Sequence, residues 1–226
     1  MALQINKNRI NTQKIVLGAV LTALVIILQL LGTFVRFGPF QVSLVLIPIV
    51  IGAAVCGTDI STWLGLVFGA VVLINGDATP FMQISVAGTV STVLLKGILC
   101  GLAAGLVYKL FEKKNKLLAV ILAAIACPVV NTGIFILGCY IFFLDTLKVW
   151  MGDTFTDVTA YIFLGLVGGN FLFELLTNII LSPLVVKLIE YWEKRTKRKK
   201  AVRKATGAAE EKTPEITEKD TGDENV

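Results

Sequence analysis

The chain has 226 residues, 55% of them hydrophobic and only 16% charged, with a mean hydropathy of +0.79 and a net charge of +5. A soluble domain carries about a quarter charged residues, so this composition excludes an ordinary water-soluble protein and points to an all-α integral membrane protein. Histidine is absent altogether, which removes Ser/His and Cys/His catalysis, HExxH zinc sites and histidine proton relays together.

Residues 1–11 read as a polar cytoplasmic tail, and the folded part as residues 12–192. The first apolar helix is Thr12–Thr33, preceded by Lys7, Arg9 and Lys14 and followed by Arg36. No small-residue cleavage site follows it, so it reads as a span and not as a cleaved signal peptide. Ala19 and Ala23 form an A-x-x-x-A pair on it, extended by Thr22 and Gly18. Small residues four apart let a neighbouring helix backbone come close, and in a bilayer such packing drives helix association. Phe34–Gln41 follows as a loop broken at Gly38-Pro39.

The second apolar run, Val42–Val55, and the third, Ile60–Ile74, are short for spans, which need about 20 apolar residues. They read either as two short helices or as a re-entrant hairpin, with Asp59 expected to cap the helix starting at Ile60. Asn75–Gln83 is turn-rich. The fourth helix, about Ile84–Phe111, carries Gly97, Gly101 and Gly105 at four-residue spacing. The fifth, about Leu117–Leu144, is interrupted by Pro128 and by Asn131-Thr-Gly133. The sixth runs from about Ala160 to Trp192, with Pro183 expected to kink it. Residues 193–226 read as a cytoplasmic tail, first basic and then acidic, disordered from about residue 205.

Basic residues cluster before the first helix, in the connection holding Lys113, Lys114 and Lys116, and between Lys194 and Lys204, whereas the opposite loops offer Arg36 and Lys148. The positive-inside rule then puts both termini in the cytoplasm and requires an even number of spans, here six. The basic cluster after Trp192 reads as an orientation signal that meets anionic lipid headgroups, not nucleic acid. The four cysteines lie in apolar runs without C-x-x-C spacing, so they read as small buried hydrophobes and not as a metal site or a disulfide; no cofactor is expected.

Ionisable residues at bilayer depth are costly and by default functional. Lys96 lies about 13 residues below the outer end of the fourth helix, about 19 Å deep at 1.5 Å per residue. Glu174 lies about as deep in the sixth helix. The two read either as an internal lock between helices or as solute contacts. Asn170, Glu174 and Asn178 recur every four residues, so they share one helix face, which must look into the bundle. Asn131 either satisfies backbone freed by Pro128 or points into a cavity. Arg36 reads either as an anion contact or as an interface anchor. Gln83, Asn75, Asp77 and Trp150 are weaker candidates on the outer loops.

The chain resembles the substrate-binding S components of energy-coupling factor (ECF) transporters. The stretches that carry the resemblance are Ala19-Val-Leu-Thr-Ala23, Gln41–Gly57 (QVSLVLIPIVIGAAVCG), Gly65–Gly69, Lys96-Gly97 with the glycine series after it, and Asn131-Thr-Gly133. Their order along residues 12–192 is more telling than any one motif. The resemblance implies high-affinity binding of a vitamin or similar micronutrient, with Arg36, Gln83, Lys96, Asn131, Asn170 and Glu174 as the expected binding residues. It implies no enzyme activity and no ATPase in this chain, which has no G-x-x-x-x-G-K-[ST] loop. It implies partnership with a transmembrane T component and two cytoplasmic ATPases, docking through Ala19 and Ala23, and residence in a bacterial plasma membrane as a multi-pass protein. No cluster of aromatics deep in the membrane is evident, and Arg36, Lys96, Asn131 and Asn170 suit a hydroxylated carboxylate, a lean toward pantothenate.

Two other readings compete. A self-sufficient secondary transporter or small channel would use Lys96 and Glu174 for ion coupling, but such proteins usually show inverted repeats, and none is found between residues 12–111 and 117–192. An intramembrane enzyme would need paired acid/base groups or a metal constellation, and Glu174 is the only well-buried carboxylate expected.

Overall fold

The computed structural model describes residues 2–34, 36–37, 40–41 and 44–210, with side-chain surroundings given for 12–32, 44–191, Lys194 and Arg198. Apart from turns, the described residues are helical except for one antiparallel pairing of two-residue strands, β1 (Arg36–Phe37) and β2 (Phe40–Gln41), which flank Gly38-Pro39.

Helix α1 (Ala2–Phe34) already includes residues 2–11, where a polar tail was expected. Nothing in Leu3–Asn11 is glycine or proline, so no residue there interrupts helical hydrogen bonding. The apolar part of α1 divides cleanly. Gly18, Leu21, Val25 and Gln29 are buried, while Val16, Ala19, Val20, Ala23, Ile27 and Leu30 are exposed within an arc of about 100° on the other side.

Helix α2 (Leu46–Val55) is buried on most of its circumference, with Leu46, Pro48, Ile49, Val50, Gly52 and Ala53 all enclosed. Pro48 is tolerated because it lies in the first turn, where backbone N–H groups have no helical partner. Gly57, at φ 100°, turns the chain into α3 (Thr58–Ile74). That left-handed conformation is open to glycine at little steric cost. Gly57 is itself the N-cap, so Asp59 does not cap the helix as expected. It stands instead in the first turn of a helix that begins two residues earlier, where its charge complements the helix dipole.

A short helix, α4 (Thr79–Met82), leads to α5 (Val86–Phe111), which Ser85 caps by accepting from the Gly88 N–H at 3.1 Å. The glycine series of α5 meets α3 at backbone distance. A Cβ built on Gly65 would run into the Gly97 carbonyl oxygen, one on Gly97 into the Gly65 carbonyl oxygen, and one on Gly101 into that of Ser61. The Ser61 hydroxyl crosses the same seam to donate to the Gly101 carbonyl at 2.9 Å.

Helix α6 (Lys116–Gly138) is capped by Asn115, whose Oδ1 accepts from the Leu117 and Leu118 N–H groups. It passes into a π-helical stretch, Cys139–Phe143, and then α7 (Leu144–Trp150). After a polar turn, α8 (Val158–Ala160) leads through a second π-helical stretch, Tyr161–Gly168, into α9 (Gly169–Glu210). Pro183 lies inside α9 without ending it.

The bundle unit ends at Ile189, and a second unit begins at Glu190. Within that second unit the chain stays helical to Glu210, beyond the point near residue 205 where disorder was expected. Its Lys, Arg, Ala and Glu residues are good helix formers that need no core to favour the helix. Residues 211–226 of the expected tail lie outside the described residues.

The main core joins α2, α3, α5 and α6 through Leu46, Ile49, Leu64, Cys100, Val120 and Cys127, all nearly inaccessible. A second cluster, Cys139, Phe143, Leu147, Ile162 and Val167, lies where the two π-helical stretches and α7 meet. All four cysteines are buried and free.

Among the described residues four helical segments are long and apolar enough to cross a membrane: Thr12–Gly32, Val86–Phe111, Lys116–Trp150 and Val158–Tyr191. Helices α2 and α3, with 10 and 17 residues, are shorter. At 1.5 Å per residue α3 reaches about 25 Å, against a hydrocarbon core of about 30 Å.

Candidate functional site

A cavity of about 250 Å³ opens between α1, α3, α5, α6 and α9, with Asp77, Ala78 and Phe81 of the connection between α3 and α5 also lining it. Its lining comes from the C-terminal parts of α1, α3 and α6 and the N-terminal parts of α5 and α9, so it occupies one end of the bundle.

Lys96 enters from α5. Its ammonium lies 5.3 Å from the Phe135 ring centroid and 5.7 Å from that of Phe68, close enough for cation–π attraction. Among the described residues no carboxylate stands within the 4.0 Å of an ion pair with it. Lys96 and Glu174 therefore share one cavity without closing onto each other. Of the two readings left open for this pair, a lock or solute contacts, the structure forms no ion pair under 4.0 Å, and both residues line the cavity.

Glu174 is held by its own helix. Asn170 Nδ2 donates to Glu174 Oε1 at 3.3 Å. The other carboxylate oxygen, Oε2, has no hydrogen-bond partner, although the residue is only 3% exposed. Among the described residues three more buried polar atoms share that condition: Asn131 Oδ1, Asn170 Oδ1 and Thr92 Oγ1. A buried polar atom without a partner costs about 1–3 kcal/mol, and such atoms are a few per hundred residues in ordinary proteins. Here all four belong to residues that line the same cavity, which is the signature of a surface complementary to something else. Asn178, the third member of the expected stripe, is instead satisfied internally: its amide donates to the Glu174 carbonyl at 2.9 Å.

Of the six residues expected to bind solute, the structure brings four together: Lys96, Asn131, Asn170 and Glu174. Gln83 is not among them. It lies just past α4, exposed and away from the cavity lining, because the short helix turns Phe81 inward in its place. Arg36 has its backbone in β1, and its side chain lies outside the described residues.

Gln29 went unrecognised in the sequence, and Asp77 was only a weaker candidate there. Gln29, 4% exposed in α1, donates from Nε2 to Asp77 Oδ2 at 2.9 Å, and Asn75 donates to the same oxygen at 2.8 Å. Both Gln29 and Asp77 line the cavity. A glutamine on the buried face of an apolar helix was the signal available.

The sequence showed no cluster of aromatics deep in the membrane, but at the cavity the structure gathers several. Phe68, Phe81, Phe135, Phe143 and Phe171 all line the cavity. Phe81 is the hub, with ring centroids at 5.5 Å from Phe135, 5.0 Å from Phe143 and 5.7 Å from Trp150. Edge-on aromatic pairs are worth about 0.5–1.5 kcal/mol each beyond their buried area. Phe81→Leu is expected to lower the melting temperature by about 2–8 °C, for a loss of about 1–2 kcal/mol. Thermal unfolding of the detergent-purified protein measures it.

On α1 the structure separates the small residues that the sequence grouped together. Gly18 faces inward, where an added Cβ would touch Ile60 at 3.3 Å. Thr22 donates to the Gly18 carbonyl at 2.8 Å and accepts from Trp63 Nε1 at 3.3 Å. Ala19 and Ala23 alone stay on the exposed arc.

A family model described as the ECF transporter substrate-specific component matches residues 13–189. No curated protein and no solved structure matches the chain. The matched region takes in every residue that lines the cavity and nearly all of each described segment apolar enough to cross a membrane. The chain therefore belongs to the substrate-specific components of ECF transporters: a multi-pass membrane protein and a substrate-binding transport subunit, not an enzyme, of a family that works with a T component and ATPases.

Proposed function

We propose that this chain captures a vitamin or similar micronutrient in the cavity beside Lys96 and Glu174, and that a T component with two cytoplasmic ATPases drives its delivery across a bacterial plasma membrane. The observation that supports this reading most directly is the set of four buried polar atoms without partners, all on residues lining one cavity. Thr92, Asn131, Asn170 and Glu174 act in it as hydrogen-bonding groups for the solute, and Lys96 as its cationic contact.

The orientation follows from charge. Both termini are cytoplasmic, and α2 and α3 complete six crossings as a short hairpin turned at Gly57. The cavity then opens toward the outer face. The basic run Lys194–Lys204 rests against anionic lipid headgroups.

The T component docks on the exposed arc of α1. Ala19 and Ala23 leave a shallow groove there between Val16, Val20, Ile27 and Leu30, and close helix approach at small residues is what holds membrane helices together. Ala19 and Ala23 do not line the cavity, so docking and binding are separable. Ala23→Trp is expected to cut vitamin uptake by cells expressing the whole transporter at least about ten-fold, while solute affinity of the purified chain changes less than about two-fold. Equal loss of both would place the arc in the fold of the subunit and not in docking.

A further inference from the structure

Lys96 and the unpartnered oxygens do not make the same demand on a ligand. Asn170 uses its amide nitrogen on Glu174 Oε1, at 3.3 Å, which leaves its Oδ1 as an acceptor. A reversed amide would set two oxygens against each other, so this assignment follows from the contact itself. Asn131 Oδ1 and Glu174 Oε2 are acceptors as well. The wall formed by α6 and α9 thus presents three oxygens that lack donors. Glu174 and Asn131 are 3% and 7% exposed, so bulk water does not reach them freely.

On α5 the demand is reversed. Lys96 brings a cation with three N–H donors, and Phe68 and Phe135 flank it with ring faces. Ring faces offset part of the cost of desolvating an ammonium but accept no conventional hydrogen bond. A solute that displaces water from this cavity has to supply what each wall lacks.

We infer that the solute is a small amphoteric aromatic compound: a flat ring that lies against the phenylalanines, with an oxyanion at one edge for Lys96 and an amino or ring N–H donor at the other for Asn131, Asn170 and Glu174. This rests on the cavity being the solute site. The juxtaposition of an unpaired cation and three donor-seeking oxygens across a phenylalanine-lined cavity is what specifies both ends. A pure cation leaves Lys96 opposed, and a pure carboxylate leaves Glu174 opposed.

The test uses the full chain in lipid nanodiscs and three probes that differ by one group: 4-aminobenzoate, benzoate, which lacks the donor, and 4-aminobenzamide, which lacks the oxyanion. Calorimetry is expected to show 4-aminobenzoate binding with a Kd of about 5 mM or tighter, as a ligand of about ten heavy atoms can reach. Each of the other two is expected to bind at least about ten-fold more weakly. Lys96→Met should erase the difference between 4-aminobenzoate and 4-aminobenzamide, and Glu174→Gln the difference between 4-aminobenzoate and benzoate. Equal affinities for the three probes, or no binding of 4-aminobenzoate, would overturn the inference. Riboflavin, thiamine and pantothenate run in parallel keep the two claims apart. Tight binding of any of these that survives Lys96→Met removes the amphoteric class and leaves the transport reading standing. Absence of binding by every vitamin and probe, together with absence of uptake by the whole transporter, removes the transport reading itself.

Discussion

Gly97→Ala is expected to lower the melting temperature of the purified protein by about 10 °C, with Gly133→Ala as the control that leaves it unchanged or raises it by up to about 4 °C. The two substitutions add the same methyl group to the same kind of backbone. In a helix interior alanine is intrinsically favoured over glycine by about 1 kcal/mol, so propensity alone predicts a small gain at both. What differs is the neighbour. A Cβ at Gly133 meets nothing within 4 Å, whereas one at Gly97 enters the Gly65 carbonyl oxygen and comes within 3.2 Å of the Gly69 nitrogen. Those neighbours are backbone, so no side chain can rotate away; α3 and α5 must separate along the seam. Overpacking a core costs about 1–3 kcal/mol even where side chains can yield. At about 2–4 °C per kcal/mol for a chain of this size, a cost at or above the top of that range gives the expected shift. A melting temperature unchanged by Gly97→Ala would show that the α3–α5 seam is looser than backbone contact.

Lys96→Met is expected to abolish solute binding, by about 100-fold or more in Kd, while leaving the empty protein as stable as before or a few degrees more stable. A charge-assisted hydrogen bond contributes about 1.5–3 kcal/mol, and losing the only cation among the described residues of the cavity lining also leaves the bound oxyanion unpaired. Methionine keeps the length and apolar stem of lysine, so the cavity walls remain supported. The stability readout separates the two roles considered for this residue. In a lock, removing one charge strands the other and costs about 3–5 kcal/mol, which would appear as a drop of about 10 °C or more. In a binding site, removal relieves an ammonium with no carboxylate within 4.0 Å, at the loss of two cation–π contacts. A large fall in melting temperature with binding retained would reverse the assignment.

Part of this site was legible in the sequence because membrane depth makes polarity conspicuous. Lys96, Asn131, Asn170 and Glu174 stand out in runs of apolar residues, and helical spacing puts Asn170 and Glu174 on one face. The glycine series pointed to a close seam for the same reason: nothing but tight packing recommends glycine four residues apart in a helix.

The aromatic lining was not legible. Phe68, Phe81, Phe135, Phe143 and Phe171 come from α3, α4, α6 and the segments around the two π-helical stretches, and a phenylalanine in an apolar helix looks the same whether it faces lipid, core or cavity. Gln83 was misplaced because a loop residue carries no periodicity to orient it. Thr92 escaped notice because threonine in a membrane helix commonly satisfies itself on the preceding turn, as Thr89 does by donating to the Ser85 carbonyl at 2.8 Å. The six-span count sits between these cases. Four segments have the length of a span, and the α2–α3 hairpin is too short for the usual rule.

The two π-helical stretches set the phase of the walls that follow them. Tyr161–Gly168 ends one residue before α9, and Asn170, Phe171 and Glu174 follow within two turns. A π turn closes on the fifth residue instead of the fourth, so it takes up an extra residue without lengthening the helix in proportion. One residue more or fewer in an α-helix rotates everything beyond it by about 100°. The acceptor wall is therefore aimed by the length of Tyr161–Gly168 as much as by the identity of Glu174. A relative that kept every polar residue but lost one position in that wide stretch would turn its carboxylate out of the cavity and toward lipid, so a comparison of such proteins has to align residue counts here before it aligns residue types.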